Sequence, residues 1–436
     1  MNRQTFTWGR SENSIRKTER WVEGLWILGL LLAAMLLFGV NLGSIPLQDW
    51  DQKTVELAAR QIQEAPFASW QWLYPTLSGE SDKYLLPLQP WLVAGVYEMG
   101  GVNPWTTRLP GAILTALSVP IMYGIGREIF PSRQSAIFSS LIYLTLFPLV
   151  HQGRLAGVEG TALCFVLLTM WCVLRSRRDF RWILGAGIGL GLICLSKGIL
   201  LGMVLVAIAL LFLGWDTPRL LTSIYWWLGL LLGCAPALAW LVSPLLQENQ
   251  IFTLANFTER SLPLLWTQVS SQSRPLWFYL AEIFSLPWLV FWSYGLGLAW
   301  SNRNWSWAKL VLVWAGIYLF AIIAMLSNLP WYVLPVYPAL ALAAGAQLAE
   351  VWNWPSCRSY PRFWSIGLSL LAVGAVASGL YFWLEKEAYH SLSVFFTSVA
   401  LTMAISAVLV ARQNLQFIVI LFWGSYVSLL LLISAS

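Results

Sequence analysis

The chain has 436 residues, of which 58% are apolar and 11% charged. That charged share is under half of the roughly one quarter usual in soluble proteins, which excludes an ordinary soluble globular class. The net charge of +6 is scattered between apolar runs, with no basic patch, so nucleic acid is excluded as a partner.

Residues 1–24 are polar and basic and read as a cytoplasmic N-terminus ahead of an uncleaved first span. Apolar runs then recur near 25–44, 107–126, 134–150, 158–174, 182–196, 199–214, 221–243, 277–301, 308–326, 331–350, 363–384, 391–411 and 415–434. Runs of about 20 residues cross a bilayer as helices. Backbone groups in lipid must be satisfied internally, so the expected fold is an all-α polytopic bundle of about 13 transmembrane helices. The weak period-2 signal of a membrane barrel is absent. The short pair 182–196 and 199–214 also reads as one re-entrant hairpin. Many of the 28 tryptophans stand at run ends (Trp21, Trp26, Trp91, Trp215, Trp288, Trp300, Trp331), as interfacial belts require. No internal repeat is visible. The whole of 1–436 is read as a single membrane-embedded domain, closed by C-terminal helices from about 355 to 436.

With the N-terminus in the cytoplasm, seventeen of the 26 basic residues fall on inner loops and nine on outer ones. The run RSRRDFR at 175–181 is then a cytoplasmic orientation signal. The expected location is a bacterial inner membrane. The five cysteines show no metal-ligand spacing, and four lie inside apolar runs, so they read as packing residues.

Between the first and second spans lies an external loop, 45–106, that concentrates acidic residues. Carboxylates between spans are costly to desolvate unless they face water or a partner. Val55, Leu57, Ala58 and Ile62 recur at helical spacing, and Asp51 stands where that helix begins. The loop therefore reads as an amphipathic, polar catalytic face laid on a membrane scaffold.

The same external side gathers the other unusual groups. His151, Arg154 and Glu159 lie in HQGRLAGVEG, and Lys197 in LSKG between two short runs. Arg260 and Arg274 lie in the loop after the seventh span, and Asn328, Trp331 and Tyr332 in LSNLPWYVLPVYP. Ionisable residues at membrane depth are functional candidates. Asp51 suits a general base toward an acceptor hydroxyl or amine. Lys197, Arg260 and Arg274 suit a phosphate, as point charge and planar forks. A carboxylate beside cations at a membrane face fits group transfer from a lipid phosphate.

These residues fall in an order that resembles the GT-C superfamily of integral-membrane glycosyltransferases. The branch is that of the aminoarabinose transferase of lipid A and the protein O-mannosyltransferases. The similarity covers about the first 340 residues. Asp51-Gln52 stands where the family has Asp-Glu. PTLSGESDKYLLPLQPWL matches a family sequence at Pro75, Thr76, Gly79, Glu80, Pro87, Leu88, Trp91 and Leu92. Arg108-Leu109-Pro110, GVEG with Glu159 for the usual Asp, LSKG at Lys197, and the aromatic stretches RPLWFYL and LPWYVLPVYPALAL follow in turn. The family's Glu-Lys ahead of its Pro pair is replaced by Tyr84-Leu85, with Asp82 and Lys83 two positions upstream as candidate substitutes.

The resemblance implies inverting transfer of a sugar from a polyprenyl-phosphate donor to a lipid, glycan or protein acceptor. Asp51 would activate the acceptor, and Lys197 with Arg260 or Arg274 would hold the departing phosphate. Glu159 would bind a divalent metal or orient the acceptor. Glu80, Asp82, Lys83, Tyr84, Arg154, Asn328 and Tyr332 would line the substrate groove, among membrane lipids. Two rival readings remain: a degenerate relative that binds lipid-linked glycan or scaffolds a partner, and a transporter or flippase.

Overall fold

The computed structural model describes residues 8–44, 46–47, 50–65, 72–73, 76–77, 80–84, 86–242, 288–324, 330–354, 359–385 and 390–435. Sixteen helices are described in these segments. The first ten are α1 (Trp8–Gly39), α2 (Trp50–Glu64), α3 (Leu88–Gly100), α4 (Pro104–Ile129), α5 (Arg133–Leu144), α6 (Phe147–Arg154), α7 (Glu159–Ser176), α8 (Trp182–Ser196), α9 (Ile199–Asp216) and α10 (Ile224–Val242). Then come α11 (Leu289–Ser301), α12 (Ser306–Ala324), α13 (Tyr337–Trp352), α14 (Arg362–Glu385), α15 (His390–Ala411) and α16 (Gln416–Ala435). A two-stranded antiparallel ribbon, β1 (Thr76–Leu77) and β2 (Glu80–Tyr84), sits in the first long loop.

The protein is thus an all-α polytopic membrane protein with a small ribbon. Among the described residues nine helices are long and apolar enough to cross a membrane. The count rises to ten if α5 and α6, bent by 57° at a short break, form one broken span. Each of the thirteen apolar runs coincides with at least one helix. The count by length is lower because α8, α11 and the apolar stretch Ile224–Trp240 of α10 are each under 18 residues, and 277–287 lies outside the described residues.

Helix α13 is the centre of the bundle. It is rich in alanine, and nearly all of it is buried. Small residues let backbones approach where lipid supplies no hydrophobic drive between helices. At Gly345 an added Cβ would lie 2.5 Å from the Ser139 nitrogen of α5, and at Gly295 of α11 it would lie 2.3 Å from the Ala343 oxygen. Helices α8 and α10 meet in the same way. The stretch GIGLG of α8 faces GLLLG of α10, and a Cβ at Gly233 would lie 2.5 Å from the Leu184 oxygen.

Helix geometry separates two polar ends. Arg108 and Arg127 stand nineteen residues apart on α4, about 28 Å at 1.5 Å per residue. At the Arg127 end, Glu23 accepts from Tyr123 Oη at 2.5 Å, Arg127 Nε at 3.0 Å and Arg133 Nε at 3.1 Å, tying α1 to α4 and α5. Asp216 takes Arg177 at 2.7 Å and Lys309 at 3.1 Å, joining α7, α9 and α12. Arg175 lies over the rings of Trp171 and Trp182 and reaches Glu128 at 3.1 Å. These basic groups, including most of the 175–181 run, are therefore bound into inter-helix ties.

At the other end the first loop is a built layer. Val55 and Ala59 of α2 pack on Val93, Ala94 and Tyr97 of α3 in a small core of their own, with Ile62 against it. Leu57, expected on the buried face, is exposed, and Ala59 takes its place. Trp91 donates Nε1–H to the Trp72 carbonyl at 2.7 Å, and Trp240 of α10 to the Leu73 carbonyl at 3.1 Å. The first bond closes the layer on itself, and the second pins it to the bundle.

Gly233→Val should therefore lower stability by about 1–3 kcal/mol, the usual range for overpacking. Gly297→Ala, with open space around its Cβ, should be near neutral. Thermal unfolding of both variants in detergent checks this. Equal stability would place the tight α8–α10 contact in doubt.

Candidate active site at the Asp51 end

Three helix ends bring the candidate groups together. Asp51 lies in the first turn of α2 and is exposed. Glu159 is the first residue of α7, where the amide dipoles of the helix favour a negative charge. Lys197 immediately follows α8. Gly198 holds φ at +97°, a conformation open to glycine, and this turn releases the chain from α8 into α9. The LSKG spacing is thus a helix end, a cation and a reversal.

Lys197 Nζ forms an ion pair with Glu159 Oε2, and each side chain is 12% exposed. Its ammonium also lies 5.4 Å from the centroid of the Tyr332 ring, within cation–π range. Burial pushes the Lys197 pKa below the ordinary lysine value, and the nearby Asp51 charge opposes that shift. Asp51, Glu159, Lys197 and Tyr332 therefore converge from segments far apart in sequence.

Arg154 and Arg108 serve the turn after α1. Arg154 Nη1 donates to the Leu37 and Phe38 carbonyls at 3.0 and 3.3 Å. Arg108, 5% exposed, donates to the Leu42 carbonyl at 3.0 Å, the Pro46 carbonyl at 3.2 Å and Gln52 Oε1 at 3.1 Å. The last carbonyls of a helix have no partner within it, and cations suit that end. Arg154, expected in the substrate groove, thus anchors the chain leading to Asp51.

Sequence reasoning gave no role to two buried groups, Gln89 and Gln52, the latter noted only as standing where the family has Glu. Gln89 is fully buried and accepts from Thr161 Oγ1 at 2.7 Å, beside Glu159. Gln52 is 3% exposed and bonds Arg108. A glutamine on the apolar side of a helix was the available signal. Arg260, Arg274 and Asn328 lie outside the described residues, as do the side chains of Glu80, Asp82, Lys83 and Tyr84. His151 is exposed on α6, 5.8 Å from the Phe147 ring.

Among the described residues no three His, Cys, Asp or Glu side chains gather as a metal site. The Glu159 carboxylate is engaged by Lys197. No step is assigned to a metal. Chemically, the set offers an accessible carboxylate beside a desolvated ammonium with an aromatic wall.

Residues 86–242 match a family described as dolichyl-phosphate-mannose-protein mannosyltransferase. An undecaprenyl phosphate-α-4-amino-4-deoxy-L-arabinose arabinosyl transferase of Pseudomonas fluorescens Pf-5 is 26% identical over 337 residues, 74% of this chain and 60% of that protein. Its counterpart in Pseudomonas aeruginosa UCBPP-PA14 is 26% identical over 76% of this chain and 61% of that protein. The chain thus spans about three fifths of the length of these curated relatives. A crystal structure of ArnT from Cupriavidus metallidurans bound to undecaprenyl phosphate superposes with a TM-score of 0.74 at 20% identity, over 94% of this chain and 77% of that one. The chain thus resembles the GT-C glycosyltransferases of the aminoarabinose-transferase and mannosyltransferase branch in sequence, and shares the fold of ArnT. The matched stretch 86–242 carries Arg108, Glu159 and Lys197, while Asp51 lies ahead of it.

Breaking a buried ion pair strands a charge, at a cost of about 3–5 kcal/mol when burial is full. Glu159→Gln and Lys197→Met should each destabilise the chain, and the double variant by less than the two losses combined. Unfolding measurements on the four proteins check this. Additive losses would mean that the pair is not coupled.

Proposed function

We propose that the protein transfers a pentosyl or hexosyl unit from a polyprenyl-phosphate donor to a lipid, glycan or protein acceptor, with inversion at the anomeric carbon. The observation that carries this reading is the convergence of Asp51 with the Glu159–Lys197 pair beside Tyr332. The acceptor hydroxyl or amine attacks the anomeric carbon on the face opposite the leaving group, and Asp51 takes its proton. The sugar–phosphate bond breaks, and the lipid phosphate departs with the bonding pair. Lys197 turns from Glu159 to that phosphate, where a fixed cation in a poorly solvated site stabilises the developing charge. Glu159, released, orients the acceptor. Arg260 and Arg274 are proposed to add forks to the phosphate, and Glu80, Asp82, Lys83, Tyr84, Asn328 and Tyr332 to border the groove. The curated relatives named for undecaprenyl phosphate-linked aminoarabinose favour a C55 lipid carrier and an amino pentose. The excess of basic residues at the opposite end supports an orientation with the Asp51 end outside the bacterial inner membrane and the N-terminus inside.

A second reading, a binder of lipid-linked glycan without turnover, is favoured by Tyr84-Leu85 at the family's Glu-Lys position. Transfer assays with undecaprenyl phosphate-linked 4-amino-4-deoxy-arabinose in reconstituted membranes separate the two. Asp51→Asn keeps the size and removes the base, so transfer should fall by about 10²–10⁴ while donor binding changes little. Parental turnover in Asp51→Asn would remove it as the base. Binding by the parent without transfer would favour the binder.

Sidedness has its own test. Single cysteines at positions 51 and 178, in a background lacking the native cysteines, are labelled with an impermeant thiol reagent in right-side-out vesicles. Position 51 should react and 178 should not, and the reverse would invert the topology.

A further inference from the structure

We propose that Gln52 is a positioning residue that fixes Asp51 and Glu159 in one frame through the connection between α6 and α7. The proposal rests on the reading of Asp51 as the base. Gln52 is the next residue of α2 after Asp51, and it is 3% exposed while Asp51 is exposed. Its single Oε1 accepts from two directions, Arg108 Nε of α4 at 3.1 Å and the Ala156 backbone N–H at 3.5 Å. Ala156 is fully buried and lies three residues before Glu159. One buried amide therefore joins the helix bearing Asp51, the α4 arginine that holds the end of α1, and the segment that leads into Glu159.

Gln89 braces the same segment from α3. It is fully buried and accepts from Thr161 Oγ1 at 2.7 Å, two residues past Glu159. The stretch 156–161 is thus held at both ends by glutamines from the external layer. A buried acceptor that joins two donors is costly to lose, because each donor is then left without it. The effect falls on geometry, and small misplacements of a reacting group are expensive in rate. A neutral amide does this next to Asp51 without a second negative charge on the same turn.

Three variants of the full-length chain test the proposal. Gln52→Glu keeps an acceptor at the same reach, Gln52→Asn draws it back by one methylene, and Gln52→Leu removes it. Hydrogen–deuterium exchange of the peptide 154–161 in detergent is read first, since it needs no substrate. We expect exchange to rise tenfold or more in Gln52→Asn and Gln52→Leu and to stay within twofold in Gln52→Glu. In the transfer assay, kcat should fall tenfold or more in the Asn and Leu variants, with KM for the lipid-linked donor within threefold. The Glu variant should keep at least a third of the parental kcat. Gln52→Asn, the gentler change, carries the test if Gln52→Leu fails to fold. Parental exchange in Gln52→Asn overturns the proposal, as does exchange in Gln52→Glu as fast as in the other two. Raised exchange with parental kcat also overturns it. A parental chain silent in transfer counts against the reading of Asp51, and the exchange result alone then decides the placement of Gln52.

Discussion

A charge at the edge of a membrane bundle must be hydrated, paired or neutralised, and the Glu159–Lys197 pair is where this constraint bears hardest. Both side chains are nearly buried, at the start of α7 and the end of α8. Neither would be tolerated there alone. Glu159 opens α7, and Lys197 closes α8 just before the positive-φ turn at Gly198. Such a pair gives little net stability against an apolar alternative. Its retention makes sense where one partner must be surrendered to an arriving anion. A lipid phosphate meets that description, since it brings the replacement charge with it.

The two ends of the bundle handle charge differently. Away from Asp51, two carboxylates carry several donors each: Glu23 has two arginines and a tyrosine, and Asp216 an arginine, a lysine and Ser306. Those clusters tie helices together. At the Asp51 end, Arg108 and Arg154 donate to backbone carbonyls after α1, and the carboxylate of Asp51 is exposed. The cations nearest the site thus build the platform, and Asp51 stands on it accessible to solvent and acceptor. That division of labour links packing to the proposed chemistry.

Much of the fold was legible because hydropathy and length speak directly to lipid. The apolar runs, the helix opening at Asp51 and the LSKG break all follow from residue type. Spans such as 134–150 were harder, because the 57° bend between α5 and α6 leaves composition unchanged. The ribbon at 76–84 and the helix at Leu88–Gly100 lie in the loop 45–106, where residue spacing showed only the helix that opens at Asp51. Within the site, ionisable residues announced themselves, but their partners did not. Nothing in local sequence tells that Arg154 turns toward Leu37, 117 positions away, instead of toward a substrate. Gln52 was visible only as a departure from Asp-Glu, and its role depends on Arg108 and Ala156, which tertiary packing alone brings near.

The most direct test is a structure of the protein in lipid nanodiscs with undecaprenyl phosphate added. The account predicts the phosphate against Lys197 Nζ, within hydrogen-bond reach of about 3 Å. The Lys197–Glu159 pair should be opened, with Asp51 facing the space where a sugar would hang. A phosphate bound elsewhere, with that pair intact, would contradict it.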